Sequence, residues 1–344
     1  MAAAGATNAG ALDAGAADAP AGHRVPLDRR ASLDRQAPIR RIAPRADVPA
    51  SRRGRPSAVA QLSRTPLAVA AIAVLIGLGL AGLAADWLAA NLFGVGPTTQ
   101  NLRAAYARPD FAVPSLWLGA DELGRSQIVR LLYAARISLA VGLGAAALNL
   151  TVGVLFGLAA GYYRGPVDDA LQWVASTMRS IPSLFLLLLV AVLFQPGPMV
   201  LVIVLGLLSW TGTALFVRGQ TLSLREREFI GAARATGASD WRLMTRHLLP
   251  NLLPLVVTLA AIDVGAMILT ESSLSFLGLG IAPPTASWGN MLTNAVGTLG
   301  RAPWLVWGPG VAIFATVLAL YLLGDAVRDA IDPRLGTRRT GSER

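Results

Sequence analysis

From Thr65 to Ala85 the chain runs without a charge, and nine of those residues are Leu, Ile or Val. At about −0.3 to −0.6 kcal/mol each, they contribute about −3 to −5 kcal/mol to insertion in a bilayer. A run of this length crosses the hydrocarbon as a helix, the one single-segment structure that satisfies its own backbone there. Comparable runs recur at Ile137–Tyr163, Ala170–Phe194, Met199–Val217, Leu255–Phe276 and Leu305–Leu323. The chain therefore reads as an all-α integral membrane protein with six transmembrane helices. Pro182 should kink the third span by removing a backbone donor.

Composition narrows the function. Apolar residues make up 54% of the chain and charged residues 15%. Every basic side chain is Arg, so a Gly-x4-Gly-Lys phosphate loop is excluded. With no Cys and only His23 and His247, neither a disulfide nor a thiolate or His-Glu-x-x-His zinc site can form. No Gly-x-Ser-x-Gly elbow is present either. The sequence predicts no enzyme, no metal site and no cofactor of its own.

A net charge of +10 fits the positive-inside rule better than a nucleic-acid partner. With both termini inside, twenty-three Arg fall on the inner side and six on the outer. That bias puts the termini and the segment 218–253 in the cytoplasm. Residues 1–62 are Ala/Pro/Arg-rich with few large hydrophobes, which predicts a disordered cytoplasmic tail. The membrane domain is expected over 63–336, followed by a short tail, 337–344.

Between the fourth and fifth runs lies a charged stretch, Leu222–Pro254, far longer than a connector needs to be. Ser223–Thr236 reads as a helix with Phe229, Ala232, Ala233 and Thr236 on one stripe. Gly237 suits the residue past a helix end, and Ser239, followed by Asp240, suits the start of another. Trp241, Met244 and Leu248 should share a face of that second helix, which Pro250 should limit. The product is a helix–bend–helix knob with small residues (Gly231, Ala232, Ala233, Ala235) and a Trp/Met face. It either packs on its own membrane domain or docks a separate protein.

Within the spans, Asp263 and Glu271 each cost about 2.5–3.5 kcal/mol at a helix centre. They either line a path for a cationic or zwitterionic solute or hydrogen-bond a neighbouring helix. Arg179 either snorkels to the interface or faces the bundle. Asn149 is a further interhelical hydrogen-bond candidate. Gly119–Ser138 reads as an amphipathic interfacial helix, with Ile128, Leu131, Leu132 and Ala135 opposite Arg125, Arg130 and Arg136.

The charged stretch resembles the cytoplasmic loop of binding-protein-dependent ABC importer permeases, Glu-Ala-Ala-x3-Gly-x9-Ile-x-Leu-Pro. Ala232, Ala233, Gly237, Leu249 and Pro250 match in register. Gly231 replaces the usual Glu, and His247 stands where many members have Ile. Asp121–Leu139, Ser272–Leu292 and Leu323–Leu335 are similar to phrases of the dipeptide/oligopeptide/nickel branch. The resemblance implies a permease subunit that couples a separate ATPase, which binds the ATP, to alternating access for peptides or similar small solutes. The coupling residues it implies are Ala232, Ala233, Gly237, Ser239, Asp240, Trp241, Leu249 and Pro250. Arg179, Asp263 and Glu271 are candidate path or gate residues. It also implies a second, non-identical permease subunit, an extracytoplasmic solute-binding protein and a bacterial inner-membrane location. The competing reading is an ion-gradient-driven secondary transporter, which would carry internal inverted repeats; none is evident in the sequence.

Overall fold

A computed structural model of the chain describes residues 62–63, 65–194, 197–293 and 295–331. The expected tails, apart from Leu62, together with His23 and the end of the C-terminal phrase, lie outside the described residues. Among the described residues the structure is helical, with no strand.

Helix α1, Pro66–Leu83, starts with Pro at its first turn, where a missing N–H costs nothing. A short α segment and a π-turn, Ala85–Phe93, follow it. Helix α2, Gln127–Tyr163, begins at Ser126, whose hydroxyl accepts from Val129 N at 3.4 Å. Its 37 residues reach about 55 Å, well beyond a hydrocarbon core. It turns back at Arg164 and Gly165, both with positive φ.

Helices α3, Pro166–Ser180, and α4, Ser183–Phe194, replace the third predicted span. Between them Ile181 is extended, at φ −93° and ψ 123°, as Pro182 requires of its predecessor. The expected kink is thus a full break. The 12 residues of α4 span only about 18 Å. Helix α5 is Pro198–Arg225, α6 is Glu228–Ala235, and α7 runs from Asp240 to Phe276 with a π-turn at Leu243–Leu248. The short helix α8, Trp288–Thr293, lies in the loop before α9, Trp304–Ile331. Among the described residues, five helices (α1, α2, α5, α7 and α9) are long and apolar enough to cross a membrane.

Packing is most extensive between α2 and α5, followed by α7 with α9 and with α2, and α9 with α1. Gly153, Gly157 and Gly161 make the first of these pairings close: a Cβ at Gly157 would sit 2.4 Å from the Ala214 carbonyl oxygen. Small residues at four-residue spacing are how membrane helices gain dispersion contacts where apolar burial drives little. The main core holds Val141, Leu205, Met267, Ile268 and Trp288. A second cluster, including Leu158, Tyr162, Val217, Ile230 and Leu243, seats the segment between α5 and α7.

The expected interfacial helix over Gly119–Ser138 is corrected. Helix begins only at Gln127, and Arg125 and Arg130 are buried rather than facing a membrane surface. Asp121 explains this: it takes Arg125 Nε at 2.6 Å and Arg130 Nε at 3.5 Å, while Glu122 takes Arg125 at 3.0 Å. Buried guanidinium groups need such partners. Arg136 pairs with Asp86 at 2.8 Å.

Candidate functional site

The charged stretch folds as a hairpin. Helix α5 continues to Arg225, and the chain breaks at Glu226–Arg227 before α6, so the single helix expected from Ser223 is divided. The expected stripe also shifts. Ile230 is the fully buried residue of α6, with Ala233 packed beside it, while Phe229, Ala232 and Thr236 face outward. Ile230 sets the inner face because it joins the cluster of Leu158, Val217 and Leu243 beneath α6.

The bend is a Schellman motif. Gly237, at φ +82°, donates to Arg234 O at 3.0 Å, and Ala238 donates to Ala233 O at 3.1 Å. Ser239 Oγ then accepts from Arg242 N at 3.4 Å and starts α7. Leu243, Met244 and Leu248 turn inward, but Trp241 is 72% exposed. Trp241 and Met244 therefore do not share a face. The π-turn at Leu243–Leu248 follows directly and advances fewer degrees per residue than an α-turn. It also precedes Pro250, whose ring would crowd the carbonyl four residues back in an α-helix. The helix consequently passes through Pro250 instead of stopping, and Leu249 is half-buried while Pro250 is exposed.

The hairpin thus has a sealed inner face and an open outer one formed by Gly231, Ala232, Ala235, Gly237 and Trp241. A Cβ at Gly231 or Gly237 would meet nothing within 4 Å. Asp240 is different: its carboxylate accepts the hydroxyl of Tyr162, from the last turn of α2. Arg225 donates to the Tyr162 carbonyl, and Arg164 pairs with Glu226.

The two intramembrane carboxylates sit apart on α7, eight residues or about 12 Å along the axis. Asp263 accepts from Asn149 Nδ2 at 2.7 Å and from Thr213 Oγ1 at 3.3 Å, joining α2, α5 and α7. Glu271 is fully buried and accepts from Ser138 at 3.0 Å and Ser275 at 2.8 Å. Ser138 also takes the backbone N–H of Trp288 at 3.1 Å, and Ser275 takes that of Ile281 at 3.0 Å. Glu271 thereby ties the loop after α7 to the bundle. Arg179 is exposed in the last turn of α3, and among the described residues no ion pair joins it to either carboxylate. Sequence reasoning missed Tyr162, Ile230, Ser138 and Trp288. Only the Asp121-x3-Arg125 spacing offered a local signal, for the ion-pair cluster before α2.

Residues 153–337 match the family model described as "Binding-protein-dependent transport system inner membrane component". The glutathione transport system permease protein GsiD of Pectobacterium atrosepticum is 40% identical over 219 residues, covering 64% of this chain and 73% of the relative. The oligopeptide transport system permease protein OppC of Haemophilus influenzae is 34% identical over 249 residues, 72% of this chain and 75% of the relative. The dipeptide transport system permease protein DppC of Bacillus subtilis is 39% identical over 220 residues, 64% and 69%.

Proposed function

The chain belongs to the binding-protein-dependent transport system inner membrane components, and from that premise we propose that it is the permease subunit of an ATP-driven importer of peptides or similar small solutes. A separate ATPase docks on the outer face of the hairpin, around Ala232, Ala235, Gly237 and Trp241. Its closure on ATP and reopening on hydrolysis rock the bundle between inward- and outward-open states.

One observation carries this reading: the hairpin is anchored by a fully buried Ile230 yet leaves Trp241 72% exposed. A large exposed Trp beside small residues on an anchored hairpin suits a partner's pocket.

The remaining assignments follow. Helices α3 and α4 together make the sixth crossing, broken at Ile181–Pro182. Both termini are cytoplasmic, as the Arg bias favours. Six spans enclose a solute path only beside a second permease subunit, which is non-identical. A solute-binding protein delivers cargo to the opposite side, and the relatives' names point to dipeptides, oligopeptides or glutathione as its class. Asp263, partly buried at the meeting of α2, α5 and α7, faces the path, and Glu271 holds the outer loop that gates it.

The test is uptake by the complex in proteoliposomes, with the binding protein outside. Accumulation that needs ATP supports the importer. Accumulation driven by a proton or sodium gradient without ATP would replace it with the secondary transporter.

A further inference from the structure

We infer that Tyr162 is the joint through which motion of the hairpin enters α2, a second route beside the covalent one into α7. This rests on the importer reading above. The covalent route is irregular near its start, where the π-turn at Leu243–Leu248 and the two prolines Pro250 and Pro254 follow Asp240. Tyr162 grips the chain ahead of that irregular stretch. It is only 4% exposed, and a buried phenol needs a partner; the partner is Asp240, the first residue of the hairpin's second helix. Arg225 clamps the same residue from the other side, donating to its carbonyl and lying 5.6 Å from its ring centroid. Arg164, two residues on, pairs with Glu226. Both ends of the hairpin therefore hold the last turn of α2.

The far end of α2 is tied just as specifically. Ser138 bonds Glu271 and the Trp288 N–H, and Gln127 Nε2 donates to Leu305 O at 3.2 Å. Helix α2 is uninterrupted between these ends, so it acts as a strut from the hairpin to the loop carrying α8. Asp240, though exposed, spends a carboxylate oxygen on this strut through Tyr162.

The test exploits the absence of native cysteine. Single cysteines are placed at Ala235, on the hairpin's outer face, and at Val296, 52% exposed beyond α8. Their maleimide labelling rates are measured in the full complex, with and without vanadate-trapped ATP. In the otherwise unaltered complex both rates should change by about fivefold or more. In Tyr162→Phe the Ala235 response should persist while the Val296 response falls to less than about twofold. Asp240→Ala should give the same pattern, and the double variant should add nothing, which also covers a Tyr162→Phe chain that misfolds. A full Val296 response in both single variants overturns the joint. Uptake by the unaltered complex that does not need ATP would instead remove the importer reading on which the joint rests.

Discussion

Asn149 of α2 donates to the Asp263 carboxylate of α7 at 2.7 Å, with Thr213 of α5 beside both. Three membrane helices meet at this one polar node, and Asn149 is its shortest contact. Replacing Asn149 by Leu strips the carboxylate of its better donor and should destabilise the protein by about 1–2 kcal/mol. Thr213→Val should cost less, since its contacts are 3.2 and 3.3 Å. Thermal unfolding in detergent measures both, and equal losses would contradict the ranking.

Gly237 holds φ +82° with no neighbour within 4 Å, so a substitution there meets backbone strain and not a clash. Gly237→Val should cost about 1–2 kcal/mol or more and lower uptake per ATP hydrolysed, while Gly237→Asn should be milder. Normal coupled uptake by Gly237→Val would count against the bend as a geometric element.

The opposite case is Gly157, where a Cβ would lie 2.4 Å from the Ala214 carbonyl oxygen. Backbone cannot yield as a side-chain tip does, so Gly157→Val should separate α2 from α5 and lower stability by about 1–3 kcal/mol. Gly231→Ala, inside α6 with open space around it, should instead raise stability by about 0.5–1 kcal/mol.

Asp86 accepts from Tyr133 Oη at 2.6 Å and Arg136 Nη2 at 2.8 Å. First the Tyr133 hydrogen bond and then that from Arg136 hold its carboxyl below the ordinary carboxylate range. A depressed folded value means the contribution is fully present above the ordinary range and is lost as pH falls through the folded value. The stability gap between the unaltered protein and Asp86→Asn should therefore be constant near neutrality and close in acid. A gap that widened in acid would reverse the assignment.

Features set by local chain chemistry were legible in the sequence. Pro182 forces Ile181 out of the helix, Gly237 supplies a left-handed bend, and Ser239 caps the next helix. What needed the third dimension was not legible. Ile230 outranks Phe229 for burial only because a pocket between Leu158, Val217 and Leu243 awaits it. Arg125 and Arg130 look like an interfacial stripe until Asp121 folds between them. The π-turn that carries α7 through Pro250 leaves no periodic signal in the sequence. Helix α2 reveals its partners only at assembly, since Tyr162 and Asp240 are 78 residues apart.

Protection of the hairpin's outer face by the ATPase tests the docking claim most directly. A single cysteine at Ala235 should react with maleimide in the permease alone and lose about tenfold or more of that rate in the assembled complex. Equal reactivity with and without the ATPase would contradict the docking face.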